Sequence, residues 1–145
     1  MKIYKEKISF KSSAEVEFID ITDAVQRVVD ASGVREGHVS VFVQHTTMGI
    51  VINHNEPMLL QDFMRVLYRI APQDDRYSHD MFELRKNNKT DGRSNGHSHC
   101  KAMMIGSHVS VPLENGKMML AHIQSILAVD FDGARNRDAI VTVSG

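Results

Sequence analysis

The stretch HVSVFVQHTTMGIVIN, residues 38–53, decides the fold because it contains two strand patterns separated by a polar cluster. The first pattern places three valines on one face of a strand, namely Val39, Val41 and Val43. The second pattern, GIVIN, resumes extended structure after the polar residues. If residues 39–44 and 49–53 pair as a hairpin, the polar side chains that follow the two strands lie within a few residues of each other.

Strand and helix patterns alternate on both sides of this stretch. Before it, IYKEKISF has the period of a strand with one wet face, and a helix follows whose apolar stripe is Ile21, Val25, Val28 and Val29. Asp20 and Gly33 are expected to begin and end that helix. After the stretch, a second helix opens at Pro57 and closes at Pro72, with apolar residues at helical spacing: Leu59, Leu60, Phe63, Leu67 and Ile70.

The second half of the chain predicts a long loop, a third helix and four strands. Residues 73–95 have no sustained apolar period, so we interpret them as a lid or a subunit contact. CKAMMIG then indicates a short helix ended by Gly106, and a hairpin follows across Asn115-Gly116. Two further strands are expected at 126–131 and 139–143. This order predicts one domain over 1–145, of the α+β class, with largely antiparallel sheets and helices packed against them.

Composition limits the classes of partner. The chain has 145 residues and a net charge of -1, so no overall basic field favours a nucleic acid or an anionic membrane. The single cysteine, Cys100, cannot form an intramolecular disulfide, and the N-terminus is charged where a signal peptide would be apolar. No apolar run approaches the ~20 residues that span a bilayer. We therefore expect a soluble cytoplasmic protein with a small-molecule partner.

Side chains that can bind a metal or take part in a reaction lie mainly where the predicted strands end. Four groups stand out, His45-Thr46-Thr47, Asn53-His54-Asn55, His79-Asp80 and His97-Ser98-His99, in a chain that has eight histidines. Neutral imidazole is a common ligand of divalent metals, and three histidines leave a coordination position open for chemistry. His38 and His108 are instead assigned to solvent-facing strand positions, and His122 is compatible with either role. The pair His97 and His99 shares a face only if extended, because two positions diverge by roughly 200° on a helix.

The absence of four familiar motifs leaves several classes of enzyme without support. The chain contains no GxxxxGK[ST], strand-borne GxGxxG, HExxH or GxSxG, so NTPase, Rossmann, zincin and α/β-hydrolase interpretations lack support. Cys100 lies in an apolar helical pattern and is interpreted as a core residue. The nine methionines, Met103 and Met104 among them, are interpreted as adaptable core filling.

Five segments in order resemble the YjbQ family, also called secondary thiamine-phosphate synthases. They are QHTTMGIVINHNEPMLLQDF, YSHD, HSHCKAMMIG, VPLENGKMMLAHIQSI and DFDGARNRDAIVTVSG, which cover nearly the whole chain. The resemblance implies an α+β fold assembled as a homotrimer, with clefts near the subunit contacts. It also implies a divalent metal, zinc or, with a diphosphate substrate, magnesium, held by His45, His79 and His99.

Two departures from the family pattern concern the expected pocket. The resemblance places Asn53 and Asn55 in it, but His54 stands where the family usually has glutamate, which puts the acid-base role of that glutamate in doubt. Ala121-His122-Ile123-Gln124 replaces the family's glycine-threonine-tryptophan-glutamine, so the aromatic wall is missing and Gln124 is kept.

The resulting interpretation is a small metal-dependent enzyme with weak thiamine-phosphate synthase activity and an unknown principal substrate. That reaction joins hydroxymethylpyrimidine diphosphate to a thiazole phosphate, giving thiamine phosphate and pyrophosphate. The catalytic candidates are His45, Asn53, His54, Asp80 and Gln124, and the substrate-binding candidates are Thr46, Thr47, Asn55, Lys101 and Arg135. Two alternatives stay open: a hydrolase or lyase that uses a metal-bound water, and a non-enzymatic trimer that binds a metal or a metabolite.

Overall fold

The computed structural model describes residues 1–81 and 93–145, and its elements alternate as the sequence patterns do. The strands are β1 (Ile3–Lys11), β2 (Glu17–Asp20), β3 (Gly37–Phe42), β4 (Met48–Asn53), β5 (His108–Glu114), β6 (Lys117–Met118), β7 (Ser125–Asp130) and β8 (Asn136–Ser144). The helices are α1 (Thr22–Ser32), α2 (Pro57–Ile70) and α3 (Gly96–Ile105), and a 3-10 turn covers Ser78–Asp80. The α+β class is confirmed.

Two antiparallel sheets form the framework, with strand orders β1-β8-β3-β5-β6 and β2-β7-β4. The expected hairpin between residues 39–44 and 49–53 is wrong, because β3 and β4 lie in different sheets. Burial explains the difference. Val39 and Val41 of β3 and Ile50 of β4 belong to one apolar cluster, so the two strands bury side chains in a shared core instead of pairing edge to edge.

Strand β7 divides the apolar interior into two clusters. Its Ile126 and Ala128 belong to the large cluster, to which α1 also contributes residues. Val129 of the same strand and Phe131, which follows the strand, belong to a smaller cluster that includes Leu67 of α2. A strand buried on both faces reads as a continuous apolar run, as ILAV does here. Its end therefore carries polar residues directly into buried surroundings.

Turn chemistry follows the sequence closely. Gly33 ends α1 in the left-handed conformation, with φ of 72°, as expected. Asn115 and Gly116 both have positive φ, which confirms the predicted turn between β5 and β6. Ile21 precedes α1 in the capping position, although the Asp20 carboxylate still accepts a hydrogen bond from the Thr22 amide at 3.0 Å.

Several elements differ from the expectation. The short β2 was not predicted, and α3 begins at Gly96, several residues before the apolar run. Within the predicted loop of residues 73–95, residues 82–92 lie outside the described part of the chain. The rest of that loop contains the 3-10 turn, whose Asp80 accepts a hydrogen bond from the Gly96 amide at 3.0 Å.

Helix α2 lies on the protein surface with much of its apolar side uncovered. Its start is fixed by the Glu56 carboxylate, which accepts hydrogen bonds from the Met58 and Leu59 amides. Of the predicted stripe, Leu67 is buried, whereas Ile70 is 61% exposed, and the neighbouring Val66 is 50% exposed. The sequence pattern therefore describes a helix whose apolar face is only partly covered by its own chain.

We predict that Gly96→Ala loosens the contact between the 3-10 turn and α3. A Cβ at this position would lie 2.5 Å from Tyr77 Cβ, so the turn must shift, at a cost of about 1–3 kcal/mol in the free energy of unfolding. Denaturant unfolding measures the loss, with Ser94→Ala at a nearby exposed position as the control. Wild-type stability in the Gly96 variant would contradict the packing argument.

Candidate functional site

A buried ion pair between Asp130 and Arg137 anchors the site. Asp130 ends β7, and Arg137 lies near the start of β8. The guanidinium donates from Nε to Oδ2 at 3.0 Å and from Nη2 to Oδ1 at 2.8 Å, which is the bidentate geometry that suits arginine. Ser12 Oγ donates to the same carboxylate at 2.7 Å, and the Asp132 amide donates to it at 2.9 Å.

The surroundings of Asp130 stabilise its charged form. Burial alone would raise the pKa of this carboxyl, but the hydrogen bonds from Arg137, the Asp132 amide and Ser12 outweigh burial and hold the pKa below its usual value. A buried carboxylate with this many donors is stable only while all of them are in place. The ion pair therefore fixes where β8 begins relative to the end of β7.

Arg137 also contacts the predicted HTT cluster, His45-Thr46-Thr47. Its Nη2 donates to Thr47 Oγ1 at 2.8 Å, and its Nη1 lies 3.4 Å from His45 Nδ1. On the other side of the imidazole, His45 Nε2 lies 3.1 Å from Asp138 Oδ1. His45 thus sits between a guanidinium and a carboxylate, with both ring nitrogens in contact.

His79 and His99 come together at the 3-10 turn and α3. Their ring centroids are 4.7 Å apart in an edge-to-face arrangement, and His79 Nε2 lies 3.1 Å from Asn95 Oδ1. Burial, followed by the proximity of His79, holds the pKa of His99 below its usual value, although a hydrogen bond with the Thr46 backbone opposes the shift. The neutral imidazole, which is the form that binds metals, is therefore favoured at His99.

An open cleft of about 400 Å³ joins His99 to the HTT cluster. Its lining consists of His45, Thr46, Met48, His99, Ala102, Met103, Gly106 and Ser107. Two imidazoles and a threonine thus face a wall that is otherwise largely apolar. Met103 is 77% exposed, so its expected role as core filling is wrong, and the residue forms part of the cleft instead. We call this region the histidine cleft.

A second set of charges lies beside His79, around Asp132. Arg135 Nη2 donates to Asp132 Oδ2 at 2.6 Å, and Arg93 Nη2 lies 2.8 Å from Oδ1. Asn95 Nδ2 donates to Oδ2 at 2.9 Å, so one asparagine connects His79 to this cluster. Two guanidiniums and one asparagine thus contact the Asp132 carboxylate.

Helix α3 sends His97 and His99 in different directions, as expected for a helix. His97 is buried with Lys101, whose Nζ lies 2.8 Å from His97 Nδ1 and donates to the Ala71 carbonyl at 2.6 Å. Burial lowers the pKa of Lys101 to about 8. The ammonium also lies 4.0 Å from the centre of the Tyr68 ring. Lys101 is thus placed inside the protein, away from the surface where a phosphate group would meet it.

Four candidates lie at the far end of β4. Asn53 closes that strand opposite Ser125, and its Oδ1 accepts a hydrogen bond from the His54 amide. Asn55 donates to Asp20 at 3.1 Å, and Gln124 accepts from the Ala121 amide at 2.8 Å. Five residue steps separate Met48 from Asn53, so this distal polar group lies about 17 Å along the strand from the histidine cleft.

The expected metal ligands are therefore only partly assembled. His79 and His99 form a close pair whose donor chemistry suits a zinc-type ion, and His45 lines the same cleft as His99. Among residues 1–81 and 93–145, no three His, Cys, Asp or Glu side chains are grouped to hold one ion. Asp80, the other expected catalytic residue of this region, uses one carboxylate oxygen to hold the start of α3.

Several residues of this region were not singled out in the sequence: Asp130, Asp132, Asp138 and Asn95. The closing segment DFDGARNRD alternates acids and arginines, a pattern that indicates ion pairs across the short connection between β7 and β8. Asn95 carries no comparable signal.

Fold and cleft together define a class of small α+β protein with two antiparallel sheets and a histidine-lined cleft. A family model described as UPF0047 protein YjbQ-like matches residues 6–145, so the chain belongs to this family. Within the described residues, no helix combines the length and apolar character needed to cross a membrane.

Relatives and solved structures agree with this assignment. A UPF0047 protein of Methanothermobacter thermautotrophicus is 37% identical over 145 residues, covering 100% of this chain and 94% of its own. A YbjQ-like protein of unknown function from Sulfolobus solfataricus superposes with a TM-score of 0.88 at 27% identity, over 98% of this chain and 96% of its own. A YjbQ/UPF0047 family protein from Clostridium acetobutylicum superposes with a TM-score of 0.84 at 36% identity, over 96% of this chain and 99% of its own.

We predict that Asp130→Asn destabilises the protein by about 3–5 kcal/mol at neutral pH, because Arg137 is left as an uncompensated buried charge. Denaturant unfolding measures the loss. Asp62→Asn, which breaks an exposed pair with Arg65, is the matched control and should cost at most about 1 kcal/mol.

We predict that Asp130→Asn also changes how the free energy of unfolding depends on pH in the acid range. Since the folded pKa of Asp130 lies below the unfolded value, its contribution is present above the unfolded pKa and is lost as pH falls through the folded pKa. Wild-type stability should therefore fall more steeply below pH 3.8 than that of Asp130→Asn. Parallel curves for the two proteins would contradict this linkage.

Proposed function

We propose that this chain is a small metal-dependent enzyme whose reactive centre is the histidine cleft, with thiamine-phosphate synthase activity as a secondary capability. The observation that carries the proposal is the meeting of His79 and His99 beside a cleft that His45 also lines. Three imidazoles would leave a coordination position open to a substrate or a water molecule. Zinc is the preferred ion, and magnesium is the alternative with a diphosphate substrate.

The charges around the cleft support an anionic substrate. Arg135 lies in the cluster around Asp132 that Asn95 connects to His79, and in this proposal it meets the diphosphate there. A divalent ion held by the histidines would supply further positive charge at the leaving oxygen. In the proposed reaction the bond from the pyrimidine methylene to the diphosphate breaks, the thiazole nitrogen forms the new bond, and pyrophosphate leaves.

The first test is metal content together with turnover. We expect untagged wild-type protein to bind about one Zn²⁺ per chain by elemental analysis and titration calorimetry. His45→Ala, His79→Ala and His99→Ala should each reduce Zn²⁺ binding at least about tenfold, because each removes one of three donors. His108→Ala, at an exposed strand position, is the control and should bind as wild type does.

Turnover separates the remaining alternatives. Pyrophosphate release from the two thiamine precursors, at a rate that rises with added metal, is the expected result. Metal binding without that release would favour the hydrolase or lyase, or the non-enzymatic metal-binding protein. Wild-type protein that binds neither Zn²⁺ nor Mg²⁺ would contradict the metal site.

We also propose that the working form is a homo-oligomer, a trimer, in which a second copy covers α2. An apolar groove of about 200 Å³ runs between α2 and the three-stranded sheet, lined by Phe18, Val51, Asn53, Phe63, Val66, Leu67 and Ile105. Asn53 belongs to both the groove and the distal polar group. A copy seated there could therefore bring its own histidine cleft to Asn53, His54, Asn55 and Gln124, which a single chain holds far apart.

We predict that Ile70→Glu shifts the assembly toward monomer at micromolar concentration, because it places a charge on the uncovered apolar side of α2. Sedimentation velocity measures the change. Gln61→Glu adds the same charge on the opposite side of the helix, since nine positions at 100° each bring residue 70 half a turn from residue 61. Wild-type protein that sediments as a monomer would contradict the oligomer.

A further inference from the structure

Strand β1 leaves one of its two edges unpaired. In the part of the chain that the structure describes, β8 pairs with one side of β1 and no strand pairs with the other. Lys2 and Gly145, just beyond the two strands, exchange both backbone hydrogen bonds, at 2.6 and 3.0 Å. Since such pairs alternate along an antiparallel ladder, the even-numbered residues of β1 bond to β8. The amides and carbonyls of the odd-numbered residues, from Ile3 to Lys11, therefore point toward the free edge.

The free edge is also basic. Residues 2–11 contain four lysines and one glutamate, a net charge of +3 in a chain whose total is -1. All four lysines are exposed, and none forms an ion pair with a carboxylate of the described residues. Lys5 and Lys7 lie opposite Thr142 and Ile140 of β8, so the paired strand supplies no acidic neighbour for them.

The other face of β1 is largely apolar and incompletely covered. Tyr4, Ile8 and Phe10 pack against the large apolar cluster, yet each is only partly buried. Side chains of an added strand would lie beside these three residues on one face and beside Lys5 and Lys7 on the other, because cross-strand neighbours share a face. The edge therefore matches a strand in which apolar and acidic residues alternate.

A second copy of β1 does not match this edge. Two copies paired antiparallel would bring their odd-numbered residues opposite each other, since those residues carry the unpaired backbone groups. Every register that pairs more than half of the strand then places a lysine opposite a lysine. Like charges directly opposite are destabilising, and lysine on an edge strand hinders self-pairing for this reason. The same charge attracts an acidic strand, so it discriminates between the two partners.

We propose that the free edge of β1 binds an extended segment of another protein, with alternating acidic and apolar residues, by strand addition. Main-chain hydrogen bonds to the odd-numbered residues supply affinity, and Lys5 and Lys7 select acidic side chains. The apolar side chains of the segment cover Ile8 and Phe10. This interaction is independent of the histidine cleft and of any bound metal.

The first measurement is fluorescence anisotropy with a labelled peptide of about ten residues that alternates glutamate with valine, which is long enough to span β1. Wild-type protein should bind it saturably, and more weakly as salt is added, because the lysine contacts are electrostatic. Lys7→Glu should weaken binding at least about fivefold, since it turns an attraction into a repulsion. Lys117→Glu makes the same change in β6, at the opposite edge of the sheet, and should bind as wild type does.

Amide hydrogen exchange on wild-type protein separates strand addition from a general attraction for anions. The amides of Lys5, Lys7 and Ser9 should exchange at least about tenfold more slowly when the peptide is bound, because they gain hydrogen-bond partners. The amide of Ile8, which the ladder already pairs with β8, should change little. This measurement needs no variant, so it decides the proposal even if a substitution in β1 impairs folding.

Four results would overturn the proposal. They are the lack of saturable binding at about 1 mM peptide, equal binding of a lysine-valine peptide, binding without protection of the three amides, and an oligodeoxynucleotide that binds as tightly as the acidic peptide. Protection that rises with protein concentration in the absence of peptide would also overturn it, because a second copy would then occupy the edge.

Discussion

The buried pair of Asp130 and Arg137 is the constraint on which the candidate site depends. Strand β7 is buried on both faces, so the carboxylate that ends it has no access to water and must be neutralised by the protein. Arg137 does this and also reaches Thr47 and His45, which follow a strand of the other sheet. One ion pair thus fixes the relative positions of three chain segments. Buried pairs of this kind rarely add net stability over a well-packed apolar group, so we expect this one to contribute mainly to a unique arrangement of the three segments.

The elements of the fold were largely predictable because they depend on local signals. Valine alternation located β3, the spacing of apolar residues located α1 and α2, and Asn115-Gly116 located the turn after β5. Sheet membership was not predictable in the same way. Two consecutive apolar strands can pair side by side or stack face to face, and the choice depends on β7 and β8, which come some seventy residues later. Strand β2 is short and has no strong pattern, which is why it was missed.

The candidate site was predictable in its residue types and not in its grouping. Sequence and resemblance together selected His45, His79 and His99, and the structure places the last two in contact. The separation of Asn53 from His45 follows from the direction of β4, which no local pattern reveals. The contact between Asp138 and His45 depends on an antiparallel pairing that brings the start of β8 to the residues after β3. Such contacts between distant segments arise from the assembled sheets, so they become visible only in three dimensions.

Lys101 adds a charged contact between helix α3 and the end of helix α2. Its ammonium holds the carbonyl of Ala71, at the end of α2, while its backbone belongs to the same helix as His99. A lysine with a pKa of about 8 keeps most of its charge at neutral pH, so this tie is a charged contact inside the protein. The outer face of α2 is therefore mechanically linked to the cleft. Because Lys101 and His99 are two residues apart on α3, a shift of the end of α2 would pull on the helix that carries one imidazole of the cleft.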